Sequence, residues 1–444
     1  MLPAFDHAEI QTERLVLRPW CDDDAPALFE LARDPRIGPA AGWPAHKTVD
    51  ESHAALHDVL AAPGSYAVTL RDPGPVGEPA GTLVGAVALR GSDASDIACG
   101  DHEVDLGYWC GVPFWGRGYI PEASRALLAH ARDAWGMKVA WCAHYAGNEK
   151  SRRAMEKCGF IFDRLRRAQE APLLGEVRDE AVCRLDLADL GSEHLDRCLR
   201  AIELLRAQKG PERFLPLVEP LRLGRAEVLF LEEEVGVLTR TFVEGTYFCA
   251  PFSPEGLQRM ATLIPPGATA FLPDVALAPE LYPADGPWPY ELWVYDQTVP
   301  PAVDVSSSGL SVRPLTLDDR EVVEAHYGLI DQDAIAHHLA NGWLWGGYGT
   351  ENMLVGFIGE HTEASMGMLE VFPEARRRGY AAVLQAFQIG HMLDCGRTPF
   401  CHVAPDNAAS QALQRKLSMR PVGVTQCWME LPGCDVPTDG KEDC

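Results

Sequence analysis

Two stretches of this 444-residue chain open on the same alternation of apolar and polar positions. Leu15-Val16-Leu17-Arg18-Pro19-Trp20 leads into Asp22-Asp23-Asp24 and the apolar spacing Ala27, Leu28, Leu31. Leu310-Ser311-Val312-Arg313-Pro314-Leu315 leads into Asp318-Asp319 and then Val322 and Val323. The alternation predicts a strand. The carboxylates behind it suit the positive end of a helix dipole, and the spacing that follows predicts a helix with one buried face.

The correspondence continues in order. Leu83–Val87 matches Leu354–Ile358 as a mid-domain strand, and a further strand then runs into a glycine turn, at Gly116-Arg117-Gly118 in the first copy and Gly379-Tyr380-Ala381 in the second. A long helical segment follows (Pro121 to Trp135, and Ala382 to Cys395), then a strand, then an Asn-x-x-Ser pair, Asn148/Ser151 and Asn407/Ser410. Landmarks repeated in order at different spacings predict a duplicated fold with divergent loops.

Between the copies, 191–309 opens on an amphipathic helix around Leu195, Leu199, Ile202 and Leu205 and carries strand-like runs at Glu227–Leu231, Gly236–Thr241 and Tyr290–Tyr295. The proline and glycine density of Ile264–Pro289 reads as loops. The expected organisation is therefore a first domain over 1–190, a module over 191–309, a second domain over 310–432 and a disordered tail over 433–444. Ser306-Ser307-Ser308-Gly309 reads as a short linker.

Composition narrows the class. Apolar residues at 47% and charged residues at 23% suit a globular protein, and the length calls for more than one core. The sequence contains no apolar run of membrane-spanning length, and its start lacks a signal-peptide pattern, so the expected location is the cytoplasm. The thirteen cysteines are scattered without a CxxC pair or zinc-ligand spacing and read as reduced thiols. His337-His338 and His361 lack partners at ligand spacing, so no metal is expected. The net charge of −25 divides into −9 over 1–190 and −16 over 191–444. Neither half offers the basic surplus that nucleic acid or anionic lipid demands, whereas a cationic small molecule would be attracted.

A strand feeding a glycine turn and then a helix is an anion site, because turn amides and the helix N-terminus converge where glycine lets the backbone approach. Arg376-Arg377-Arg378-Gly379-Tyr380-Ala381 places three consecutive arginines on such a turn in an acidic chain. A polyphosphate ligand accounts for them.

Asp105-Leu106-Gly107-Tyr108-Trp109, Pro113-Phe114-Trp115-Gly116-Arg117-Gly118-Tyr119, Glu122-Ala123, and Asn148-x-x-Ser151 with Met155-Glu156-Lys157-Cys158-Gly159-Phe160 together resemble the Rim-type branch of the GNAT superfamily of N-acetyltransferases. The resemblance covers about 12–186. Residues 310–431 resemble a second GNAT catalytic half, and 191–309 a decayed GNAT-like unit before it.

The resemblance implies an α/β fold, two tandem GNAT units whose mixed sheets are splayed open, with pantetheine of acetyl-CoA in the split. It places pyrophosphate on Trp115, Gly116, Arg117, Gly118 and Tyr119 in the first copy and on Arg376, Arg377, Arg378, Gly379, Tyr380 and Ala381 in the second. It implies that Tyr108, Trp109, Leu369 and Val371 line the cofactor from the strand, with Asn148 and Asn407 near the pantetheine arm.

Amide formation needs the amine, pKa about 10.4, to lose a proton. Glu103 and Asp105, two apart on one strand face, are the candidate bases, with Glu370 in the second copy. Ser151 matches the serine proposed as acid in Rim-type enzymes, or it caps a helix. Met155 and Gln414 stand where many GNAT enzymes carry an acidic tyrosine, and Ser418-Met419-Arg420 replaces the usual Leu-Gly-Phe, so the copies are expected to be unequal. Three functions remain open: acetylation of a small amine-bearing metabolite, acetylation of protein N-termini, and non-catalytic coenzyme A binding. The oligomeric state is not legible.

Overall fold

The structure, a computed structural model, describes residues 5, 6, 8–281, 285–303 and 309–431. The expected linker at Ser306–Ser308 and the tail 433–444 lie outside these residues. Two compact units form, residues 1–199 with 394–396 and residues 200–393 with 397–444.

In the first unit the strands are β1 (Ile10–Gln11), β2 (Leu15–Arg18), β3 (Ser65–Leu70), β4 (Leu83–Arg90), β5 (Glu103–Cys110), β6 (Val139–Tyr145), β7 (Ile161–Ala171) and β8 (Glu176–Asp186). They form one sheet in the order β1-β2-β3-β4-β5-β6-β8-β7. Its helices are α1 (Ala25–Ala32), α2 (Gly38–Ala41), α3 (Val49–Ala55), α4 (Tyr119–Trp135) and α5 (Glu149–Cys158), while α6 (Glu193–Ala207) runs across the boundary between the units.

The sheet is covered on both faces, which explains why β4 is buried almost throughout rather than alternating. On one face α4 buries Ile120, Ala123, Leu127, Leu128 and Ala131, a helical spacing, against Val104, Leu106 and Cys142. On the other, Leu28 and Ala32 of α1 pack with Ala67, Ala86 and Trp109.

The second unit contains β9 (Ala226–Glu232), β10 (Gly236–Thr241), β11 (Tyr247–Pro251), β12 (Thr269–Leu272), β13 (Asp285–Val294), β14 (Ser311–Pro314), β15 (Leu344–Tyr348), β16 (Leu354–Glu360), β17 (Met366–Val371), β18 (Phe400–Val403) and β19 (Arg420–Glu430). Its helices are α7 (Leu215–Arg222), α8 (Pro254–Ala261), α9 (Arg320–His326), α10 (Gln332–Ala340), α11 (Tyr380–Asp394) and α12 (Ala408–Lys416). The single sheet runs β14-β15-β16-β17-β18-β13-β19-β12-β11-β10-β9.

The segments 191–309 and 310–431 therefore share one sheet, and they interlock. β13, from the earlier segment, lies between β18 and β19 of the later one, and β19 in turn pairs with β12. The stretch Ile264–Pro289, expected as loops, contains β12 and the start of β13.

Each sheet has its parallel step where a helix crosses over. β5 and β6 pair only from Glu103–Asp105 to Val139–Trp141, and β17 with β18 only at Met366 and Cys401. Beyond these points the strands diverge, and the expected splayed α/β architecture is present in both units. Among the described residues, no helix is long and apolar enough to cross a membrane.

Candidate active site

The two glycine turns share a backbone. In the first, Gly116 (φ 78°) and Gly118 (φ 76°) flank Arg117 and lead into α4. In the second, Arg377 (φ 64°) and Gly379 (φ 82°) flank Arg378 and lead into α11. Left-handed positions at alternate residues turn successive amides to one side, the arrangement that cradles an anion. Among the described residues, the N–H groups of Gly116, Arg117, Gly118, Arg377, Arg378 and Gly379 donate to no backbone carbonyl.

This geometry shifts the correspondence expected from the sequence. Gly118 is equivalent to Gly379 and Gly116 to Arg377, so Gly379-Tyr380-Ala381 does not match Gly116-Arg117-Gly118. Both cradles sit where a strand that has parted from its parallel neighbour turns into a helix.

Residues 14–161 match the acetyltransferase (GNAT) domain family, and residues 346–429 match the FR47-like protein family. Residues 14–161 are therefore a GNAT acetyltransferase domain. The chain is 35% identical over 82 residues to the "Putative ribosomal N-acetyltransferase YdaF" of Bacillus subtilis (strain 168), a match covering 18% of this chain and 42% of that protein. The chain thus spans less than half the length of that curated relative.

Solved structures that it resembles include a GNAT-family acetyltransferase from Bacillus anthracis, at 21% identity and TM-score 0.35 over 41% of this chain and 99% of that one. Another is the microcin C7 self-immunity acetyltransferase MccE in complex with acetyl-CoA and AMP, at 19% identity and TM-score 0.33 over 39% and 93%.

Within the first GNAT sheet, alternation puts Tyr108 on the α4 face of β5 and Glu103, Asp105 and Trp109 on the opposite face. Asp105 is buried, with Oδ2 accepting from Arg90 Nη2 at 2.5 Å and from Ser95 Oγ at 3.0 Å. Glu103 Oε2 accepts from the Cys99 N–H at 3.1 Å and from Trp141 Nε1 at 2.9 Å. Burial pushes the Glu103 carboxyl up, but these two bonds, the Gly100 amide and Arg184 outweigh it and hold the group below its ordinary range. Both candidate bases are thus engaged by neighbouring donors.

Of the two roles open to Ser151, the cap falls to its neighbour in the Asn-x-x-Ser pair. Asn148 is the cap of α5, its Oδ1 accepting the Ser151 N–H at 3.2 Å, while its amide nitrogen lies 3.4 Å from the Ala40 carbonyl. Ser151 Oγ is left free to pair with Tyr108 Oη at 2.8 Å. Burial keeps the Tyr108 phenol protonated well above its usual range. Met155, in the place of the family tyrosine, is core.

Glu180 went unnoticed in the sequence. It pairs in register with Tyr145 across β8 and β6, and therefore shares the face of Asp105 and Trp141. Burial raises its pKa, Arg166 at 3.6 Å opposes this, and the Asp96 and Asp105 carboxylates raise it further. Nothing in a single chain signals that positions 145 and 180 are opposed.

Over the same face lies the loop Pro35–Thr48, tied down by Arg178 Nη1 to the Pro39 carbonyl at 2.6 Å and carrying Trp43 to 6.2 Å from Trp109. Arg117 pairs with Glu78 at 2.6 Å, and Arg14 Nη1 donates to the Arg117 carbonyl at 3.0 Å. Trp115 Nε1 donates to the Cys110 carbonyl at 2.9 Å, and Tyr119 starts α4 inside the core.

In the second GNAT copy, Glu370 Oε1 accepts from Arg376 Nη2 at 2.8 Å, clasping strand to turn. Arg377 and Arg378 are exposed, and neither forms an ion pair among the described residues. Leu369, Val371 and Tyr380 pack on one face with Val383 and Leu384 of α11, whereas the bulge at Met368 (φ 50°) turns Met368 to the opposite core. Asn407 caps α12 through the Ser410 N–H at 3.0 Å. Gln414 is buried against Gln385 and Ser410.

Trp343, Trp345 and Tyr348 are packing residues: Arg225 and Arg313 lie over the rings of Trp343 and Tyr348, and Trp345 meets Phe387 edge to face. As to metal, Asp22, His53 and His57 bring ligand atoms within 4.8 Å of one another on the exposed surface, a grouping that the sequence reading did not consider.

Proposed function

We propose that the first GNAT unit transfers an acetyl group from acetyl-CoA to a primary amine of a small cationic metabolite. The observation that carries this reading is the cradle at Gly116–Gly118, with unpaired amides, at the mouth of the split between β5 and β6. A pyrophosphate fits such a cradle. The same chemistry at Arg377–Gly379, with two arginines that form no ion pair among the described residues, supports a second coenzyme A site whose catalytic competence is separate.

Acetyl-CoA supplies the activated thioester. The chain must then bind the amine, relieve it of a proton and return one to the departing sulfur. Glu180 is the proposed proton acceptor, because its raised pKa brings it nearer to the proton it must take, while Asp105 and Glu103 hold Arg90, Ser95 and Trp141 in place. Tyr108, hydrogen-bonded to Ser151, is the proposed donor to the thiolate.

Glu180→Gln is expected to lower kcat by about 10²-fold with little change in KM for acetyl-CoA. Glu180 accepts a proton only when ionised, so wild-type activity should rise with pH through its raised pKa, and the variant should lose that rise. Tyr108→Phe should lower kcat by about tenfold or more at unchanged KM. A pH–rate series on the three proteins checks both, and an unaltered profile in Glu180→Gln would return the role to Asp105.

Arg377→Gly is expected to leave the melting temperature unchanged or higher, since an arginine in the left-handed region costs about 1–2 kcal/mol, while weakening coenzyme A binding several-fold. Thermal melts and calorimetry on the same samples test the pair of outcomes.

A second reading, acetylation of protein N-termini, is favoured by the similarity to the relative named a ribosomal N-acetyltransferase. Thiol release from acetyl-CoA with amines, with N-terminal peptides, or with neither distinguishes the two from a non-catalytic coenzyme A binder. The net charge of −25 supports a cationic acceptor and neither nucleic acid nor membrane as partner. The thiols of Cys21, Cys99 and Cys110 suit the reducing cytoplasm.

A further inference from the structure

The second unit holds a polar cluster at the root of its split, on residues that the readings above do not use. The turn between β16 and β17 supplies His361, Thr362, Glu363 and Ser365, and it ends at Met366, where β17 pairs with β18. Next on β18 stands His402. Ser365 Oγ donates to Glu363 Oε1 at 2.6 Å, and the same oxygen lies 3.7 Å from His402 Nδ1.

His402 Nε2 is 2.9 Å from Gln426 Oε1, whose own amide donates to the Arg213 carbonyl at 2.7 Å. That chain assigns the imidazole hydrogen to Nε2 and leaves Nδ1 a lone pair facing the carboxylate. Burial holds the ring neutral, its pKa down at about 4.

Glu244 enters from the turn between β10 and β11, in the segment that precedes the second copy, and accepts from Thr362 Oγ1 at 3.1 Å. Tyr327, at the end of α9, closes the cluster, its ring 6.5 Å from that of His361.

The cluster is short of positive charge. Among the described residues, neither Glu244 nor Glu363 pairs with an arginine or lysine; Glu363 is buried, and Glu244 stands at the exposed rim of the cluster. Elsewhere in the same unit, buried carboxylates face arginines: Glu360 meets Arg225 at 2.8 Å and Arg397 at 2.6 Å, and Glu219 meets Arg222 at 2.5 Å. A buried carboxylate beside an imidazole lone pair, with a second carboxylate at the exposed rim, is matched by a ligand that is cationic and rich in N–H donors.

We infer that Glu363, Glu244 and His402 form the acceptor-binding site of the second copy, that it takes a primary ammonium group, and that the preceding segment completes it by contributing Glu244. Its role as an acceptor site rests on the acyltransferase reading; its affinity for an ammonium does not.

The test is calorimetry on the full chain with 1,4-diaminobutane, its neutral isostere 1,4-butanediol, and coenzyme A alone. Wild type is expected to bind the diamine and not the diol. Glu363→Gln and Glu244→Gln should each remove one diamine site or weaken it by at least about tenfold. Both variants should melt no lower than wild type, because like-charge repulsion is relieved.

Equal behaviour of diamine and diol, diamine binding in both variants that matches wild type, or unfolding of either variant would overturn the inference, the last by marking the carboxylates as structural. Failure of coenzyme A to bind would instead remove the acyltransferase reading and leave the ammonium site standing.

Discussion

Gly118→Val should lower kcat/KM for acetyl-CoA by about 10²-fold or more while leaving the first unit folded. Gly118 sits at φ 76° as the residue before α4, and a Cβ there would stand 3.5 Å from Arg14 Nη2. A β-branched residue at that angle is strained by about 1–3 kcal/mol, and the backbone relaxes by rotating the amides that converge on the anion. Hydrogen bonds to a charged group contribute about 1.5–3 kcal/mol each, so turning two amides away accounts for the factor. The loss should appear in KM more than in kcat, because the diphosphate is held alike in ground and transition states. Steady-state kinetics with a thermal melt as control decide the matter. An unchanged kcat/KM at an unchanged melting temperature would show that the cradle binds nothing the reaction needs.

Glu360→Gln should destabilise the second unit by about 3–5 kcal/mol. Glu360 is 3% exposed and takes Arg225 and Arg397 on its two oxygens, with Gln388 at 3.2 Å. Neutralising it leaves two guanidinium groups facing each other in a buried site, a larger penalty than the loss of a surface pair. Despite burial, which acts to raise it, the two arginines hold its pKa down to about 2. The sign follows. A carboxylate depressed in the folded state contributes stability that is complete above the unfolded value, about 4.3, and is lost as pH falls toward 2. Wild type should therefore lose stability of the second unit between these limits, and the variant should show a flatter acid limb. Urea titrations followed by tryptophan fluorescence at a series of pH values measure both.

The repeat and its two strand–turn–helix units were legible in the residues, because each follows from local rules, whereas the splayed α/β architecture was expected from the family resemblance. Apolar alternation marks a strand, and a helix after glycine marks a positive φ and an open helix end. The Asn-x-x-Ser pairs were legible as a landmark, but that Asn148 and Asn407 cap the helices that follow was settled only by the fold.

Pairing between distant segments was not legible. Glu180 is an ordinary glutamate in an alternating run until β8 is laid against β6, when it comes to share a face with Asp105. Arg377 reads as one of three arginines until its φ of 64° shows it to be the equivalent of Gly116. His361 and Glu363 look unpartnered along the chain and meet His402 and Glu244 only across the sheet.

The chain's local patterning by itself determined the strand–turn–helix unit, its duplication, and the acidic surplus that sets the sign of any ligand drawn to it. Tertiary structure alone decided that β13 of the intermediate segment enters the sheet of the second copy, and which carboxylates are paired and which are left facing one another. The reason is physical. Backbone conformation and periodic burial are set by neighbours a few positions apart, whereas strand order and the burial of charge depend on contacts between residues tens to hundreds of positions apart.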